Sequence, residues 1–262
     1  MSVHVVILVL ASLWWLDAGW LVYGQERSDQ MVIVPAGPFL YGSPEGEGRP
    51  DEHPQRTIEL SAFAIDRYEV TNERYLAFLR ATGHRVPINV YGSGSLMEEE
   101  GIGQLPVVQV TWHDAADFCE WEDKRLPTEA EWEKAARGID GRRYPWGNDP
   151  PTPARANFDR EWSGKTTLDP VGSHPEGVSP YGVHDMAGNV REWVQDWYDE
   201  HAHLLAARRN PQGPARGLLK VIRGGSWRSF ASDIRTAARG KGGFALKTHG
   251  IGFRCVKDLR IP

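Results

Sequence analysis

Asp185-Met186-Ala187-Gly188-Asn189-Val190-Arg191-Glu192-Trp193 (DMAGNVREW) is the stretch on which the reading of this chain turns. It lacks the 3.6-residue period of an amphipathic helix and instead sets a Gly-Asn turn between two carboxylates, closing on a tryptophan. The half of the chain around it has the same character. Tyr144-Pro145-Trp146-Gly147-Asn148 is another such segment, and only a few short strands are legible, among them Val221 to Trp227 and Gly250 to Val256. A core made from such segments is held by large aromatic side chains and loop hydrogen bonds more than by regular layers.

Toward the N-terminus the periodic signals return. Met31 to Tyr41 and Thr57 to Ile65 read as short strands, Val107 to Thr111 as another. A helix is expected after Thr71, a good N-cap, with Val70 and Tyr75 at staple positions, an apolar stripe of Tyr75, Leu76 and Leu79, and Gly83 at C′. A second is expected over His113 to Lys124 with Trp112, Ala115, Ala116 and Cys119 on one face. A third spans Glu129 to Arg137, started by a Thr128/Glu131 capping box and stopped by Gly138. The segments from Gly83 to Pro106 and from Glu200 to Gly217 read as surface loops.

With 262 residues, 40% of them hydrophobic and 25% charged, the chain can build a full core as one domain over residues 31–262. A net charge of −5, without a run of Lys or Arg, argues against a nucleic-acid partner. Val5 to Trp15 is an apolar run broken only by Ser12, with a second short run to Tyr23 after Asp17. Residues 1–24 therefore read as a leader, either a signal peptide cleaved near Gly24 or an uncleaved membrane anchor, followed by a linker over 25–30. Both alternatives place the domain outside the cytoplasm, in a periplasmic or other extracytoplasmic space. There the two cysteines, Cys119 and Cys255, are expected to pair, the alternative being two buried free thiols.

Several stretches, taken in order, resemble one family: Glu69 to Asn72 with Tyr75 and Phe78, Trp112 to Ala115 with Cys119 and Trp121, Arg125 to Arg137 (RLPTEAEWEKAAR), Tyr144 to Asn148, Asp185 to Trp193, Arg223 to Trp227 (RGGSW) and Gly252 to Cys255. The chain is similar over about residues 31 to 258 to the formylglycine-generating enzymes, or sulfatase-modifying factors. The resemblance implies an α+β fold, a C-type-lectin-like fold with little regular secondary structure, and a bridge between Cys119 and Cys255. It also implies a structural calcium held by the side chains of Asp185 and Glu192 and the carbonyls of Gly188 and Val190, oxygen donors of the kind a hard cation requires. A weaker second calcium would begin at Asn157 and the carbonyl of Phe158, although no carboxylate follows at the matching position.

In formylglycine-forming members two cysteines after the RGGS-aromatic motif hold copper(I), a metal that requires soft thiolates. Here that segment reads Arg228-Ser229-Phe230-Ala231-Ser232-Asp233-Ile234-Arg235, so no copper is expected. The aromatic residue usual before the motif's glutamate is Arg191. The iron-binding helical domain of the ergothioneine-type branch is absent from this sequence. A metal at His201 and His203, or a nucleophile among Ser226, Ser229 and Ser232, has little to support it. The resemblance places Arg191, Trp227, Arg228, Phe230 and Arg235 along the family's substrate groove, with packing and surface charge as the alternative role. Two functions follow as expectations. One is a non-catalytic accessory or assembly module that binds a protein partner, with membrane association possible through the N-terminal segment. The other is an oxidative maturation enzyme of the same family, either similar to the pyoverdine-maturation branch and acting on a peptide-derived substrate or generating formylglycine by an atypical site.

Overall fold

The computed structural model describes residues 31–88, 95, 97 and 99–259. The expected leader and linker lie outside the described residues, and among those that are described no helix is long and apolar enough to cross a membrane. Strand β1 (Met31–Val34) pairs antiparallel with β4 (Phe63–Asp66). The other edge of β4 takes β9 (Val256–Asp258), so one sheet joins the two ends of the domain. Strands β2 (Gly37–Tyr41) and β3 (Arg56–Leu60) form a separate antiparallel pair. The third sheet has the order β7 (Gly240–Gly243), β6 (Leu219–Arg223), β5 (Arg191–Trp197), β8 (Ile251–Gly252), and β8 runs parallel to β5.

Three helices follow the cap chemistry. In α1 (Asn72–Thr82) the Thr71 hydroxyl accepts from the Arg74 amide, and Gly83 ends the helix in the left-handed region. Helix α3 (Glu129–Arg137) has the expected capping box and stops at Gly138. Helix α2 (Trp112–Trp121) starts one residue earlier and ends three earlier than expected, because Thr111 and Asp114 form a capping box of their own and Asp123 takes a positive φ of 56°.

The remaining departures also have local causes. Residues 107–111 form no strand: Gln109 adopts φ 63°, and the amides of Val107 and Gln109 bond singly to Val70 and Thr248. The strand expected over 221–227 stops at Arg223, where Gly224 and Gly225 turn the chain with φ of 88° and 70°. The segment expected as one strand over 250–256 is divided between two sheets. The 200–217 loop contains a single helical turn, α4 (Ala202–Leu205). The 83–106 loop, where described, folds inward at Ile102 and Leu105, which are buried beside Val108, Leu168 and Trp227.

The interior holds charge as well as apolar side chains. Arg223, fully buried, donates to Glu129 (3.2 Å) and Glu133 (2.6 Å), and Arg239 donates to both oxygens of Glu129. Arg254 grips Glu192 through two bonds of 2.7 and 2.8 Å, and the same carboxylate accepts from the Trp132 indole at 2.8 Å. Glu129, Glu133, Glu192, Arg223 and Arg254, drawn from RLPTEAEWEKAAR, DMAGNVREW, RGGSW and GFRC, are therefore counter-ions across the motifs, which explains why such groups sit at those places in the core. Cys119 of α2 and Cys255 are disulfide-bonded, Cα to Cα 5.6 Å, within a cluster that includes Tyr75, Phe118 and Phe253.

Candidate functional site: a cleft centred on Arg191

The turn that follows Gly225 builds the cleft wall. The Ser229 amide bonds to the Ser226 carbonyl (2.8 Å), and the Ser229 hydroxyl accepts from the Ser226 amide (3.0 Å), which closes a tight loop around Trp227 and Arg228. The loop is tied outward through the amides of Asp159 and Arg160, which bond to the carbonyls of Ser229 (3.0 Å) and Trp227 (2.7 Å). The Trp227 amide in turn bonds to the Asn189 carbonyl at 2.9 Å, so DMAGNVREW and RGGSW are joined backbone to backbone.

Two cavities meet here. One, of about 780 Å³, has Trp162, Trp227, Arg228, Phe230, His249 and Arg191 in its walls. The other, of about 620 Å³, is bounded by Arg49, Asp51, Tyr198, His201, Arg239 and again Arg191. Arg191, Ile222, Asp233 and Lys241 line both, so the cavities form one trough with Arg191 at the junction. Four of the five expected groove residues are therefore brought together. Arg235 is the exception. It is buried, pairs with Glu52 at 2.8 Å through both terminal nitrogens, and borders a different cavity near Ser43 and Arg143. Trp162, Lys241, Arg49 and His249 were not legible as cleft residues, because they lie on segments whose proximity arises only from loop packing.

Charge and aromatic surface lie together in the cavity of about 780 Å³, whose walls hold Arg191, Arg228 and Lys241 beside Trp162, Trp227 and Phe230. Trp162 stacks toward His249, ring centres 4.2 Å apart, and stands 5.4 Å from Trp227, while the Trp227 indole donates to the His249 carbonyl. Phe230 is 65% exposed. Burial lowers the His249 pKa, so the ring favours its neutral form. Among the cations, Arg49 is paired with Asp233, but Arg228 and Lys241 form no ion pair with any described residue.

The expected calcium ligands fit in part. Asp185 is buried and one of its oxygens accepts from the Gly172 amide at 2.7 Å; burial, with Glu192 adding, raises its pKa. Glu69 is fully buried beside them, bonded to Asn189 and the Val190 amide, and burial with Asp185 and Glu192 pushes its pKa well above the usual carboxylate range. This concentration of negative charge suits a bound cation. Glu192 suits it less, since Arg254 and Trp132 already engage both its oxygens. Among the described residues no three His, Cys, Asp or Glu side chains converge as a metal set, so a cation here would rest on Asp185 with backbone carbonyls as its remaining donors. At the second position Asn157 is committed elsewhere: its amide nitrogen donates to Thr167 and Asn189, and its oxygen accepts from Arg160, which places a cation where a calcium would go. Phe158 packs beside Tyr144 and Ile234. His201 and His203 do not converge, since His203 is buried and stacked 4.1 Å from the Tyr41 ring while His201 faces the trough.

Residues 22–259 match the sulfatase-modifying factor enzyme 1-like domain family. The chain is 34% identical over 289 residues to the formylglycine-generating enzyme of Thermomonospora curvata, covering 89% of this chain and 95% of that protein. It is 40% identical over 252 residues to the serine/threonine-protein kinase pkn1 of Chlamydia caviae, where 90% of this chain aligns with 39% of the relative, so it spans about two fifths of that protein's length. Among solved structures, PvdO from Pseudomonas aeruginosa superposes with a TM-score of 0.76 at 28% identity, covering 89% of this chain and 96% of PvdO. The motifs that interlock in the core, the lectin-like fold and these likenesses agree, and the chain belongs to the formylglycine-generating enzyme, or sulfatase-modifying factor, family.

Proposed function

We propose that this chain is an exported binding module of its family, one that uses the Arg191 trough to hold a protein partner rather than to oxidise a cysteine. The observation that carries the reading is the fate of sulfur. The chain has two cysteines, they are joined to each other, and neither lines the trough, where the segment after RGGSW offers Ser, Phe and Ala. Thiolate chemistry on copper(I) has no ligand there. A trough that sets aromatic side chains beside Arg228 and Lys241, which form no ion pair with any described residue, has the composition of a recognition surface.

The test is gentle extraction from the native envelope, size separation and mass spectrometry of what co-migrates. A defined assembly is expected, and Arg228→Ala and Arg191→Ala should weaken it while leaving the melting temperature nearly unchanged. Misfolding of both variants would show that the two arginines are structural and would remove the trough from the proposal. The second reading, an oxidative maturation enzyme acting on a peptide-derived substrate, is favoured by alignment along 95% of a formylglycine-generating enzyme. A monomer that migrates alone would raise it above the first.

A further inference from the structure

Arg191 is held differently from the other interior arginines. Arg223, Arg235, Arg239 and Arg254 each meet a carboxylate through hydrogen bonds of 2.6 to 3.2 Å. The Arg191 side chain makes one hydrogen bond, to the Ser229 hydroxyl at 3.3 Å, and no carboxylate lies within ion-pair distance among the described residues. A guanidinium has five N–H donors, so most of these meet no protein acceptor among the described residues and stand open to the trough, where a ligand can take them. Its backbone cannot move aside: the Arg191 amide bonds to the Gly250 carbonyl at 2.9 Å, and the residue sits in register with Ile251 of β8. The nearest acid of the trough, Asp233, is occupied by Arg49. Burial, together with the positive charges of Arg49 and Arg228, works against the charged form, a penalty that a bound anion would reverse.

Resting on the binding-module reading, we propose that Arg191 is the anion-recognition point of the trough, taking one carboxylate of an extended acidic peptide segment while a neighbouring planar side chain of that segment packs on Trp162, Trp227 and Phe230. Arg228 and Lys241, which form no ion pair with any described residue, add positive charge to the same cavity, and the Lys241 ammonium lies 4.3 Å from the Tyr198 ring centre. The two joined cavities give length for several residues, which a free inorganic anion would leave unfilled. Guanidinium–carboxylate pairing supplies orientation, and the aromatic wall supplies contact area.

The test uses the full chain and two peptides that differ by one charge, acetyl-Ala-Trp-Glu-Ala-amide and acetyl-Ala-Trp-Gln-Ala-amide, with sodium sulfate as a third probe, read by isothermal titration calorimetry. The glutamate peptide should bind about tenfold more tightly than the glutamine peptide, the size expected of a charge-assisted bond in a partly screened site. Arg191→Gln should equalise the two, with an unchanged melting curve. Equal binding of both peptides to the unaltered chain overturns the inference and needs no variant, yet leaves the binding-module reading standing. Binding of sulfate with no binding of either peptide overturns the peptide assignment in favour of a small anion. Absence of both peptide binding and a co-purifying partner sinks the inference and the module reading together.

Discussion

Arg235 and Arg191 both carry a guanidinium away from bulk water, and their surroundings give them opposite roles. Burial alone would raise the pKa of Glu52, but hydrogen bonds from Arg235 and the Ser43 hydroxyl overcome this and hold it below the usual carboxylate value. A carboxylate depressed in the folded state adds stability above its unfolded pKa and loses it as the pH falls through the folded one. Arg235→Met removes the partner of a Glu52 that has no exposure, and should cost about 3 kcal/mol at pH 7 by urea denaturation. The variant should also lack the Glu52 share of the stability loss expected of the unaltered chain below about pH 4.5. Partner capture by whatever fraction remains folded should be normal, which separates a structural arginine from one that reads a ligand.

At the scale of the element, the turn from Asp185 to Val190 is where backbone and ligand demands coincide. Positive φ values of 58°, 85° and 56° at Asp185, Gly188 and Asn189 coil the chain tightly. A Cβ on Gly188 would stand 2.3 Å from the Asn157 carbonyl oxygen, so only glycine fits. The proposed calcium would use Asp185 and the carbonyls of this coil, tying it to the buried carboxylate of Glu69 by charge. One millimolar calcium should therefore raise the melting temperature by several degrees over the chelated protein, and Asp185→Ala should abolish the increment. An identical melting curve with and without chelator would remove calcium from the account and leave Arg254 as the cation that balances the cluster.

Across the whole molecule, the bond between Cys119 and Cys255 closes a loop of 136 residues that contains α3, the DMAGNVREW turn and most of the trough's walls. In the chain-entropy treatment a closure of that length restricts the unfolded state by about 5 kcal/mol. Replacing both cysteines with alanine should lower the unfolding free energy by up to that amount and leave the pattern of the three sheets unchanged. An effect below about 1 kcal/mol would mean that the cluster around Tyr75, Phe118 and Phe253 already restricts the same segment in the unfolded chain.

The sequence alone determined the parts whose causes are local. Thr71, Thr128 with Glu131, Gly83 and Gly138 mark helix ends because caps act within four residues. The motif order identifies the fold because each motif carries a buried charged or aromatic group that must find its partner in another motif. Tertiary structure alone decided which partner each group found. It gave Arg235 to Glu52 and left Arg191 without a carboxylate among the described residues, although the resemblance placed both arginines along one groove. It also divided residues 250–256 between two sheets and brought Arg49, Trp162, Lys241 and His249 to one trough. These outcomes depend on contacts between segments far apart in the chain, and neither period, cap nor turn chemistry encodes them one segment at a time.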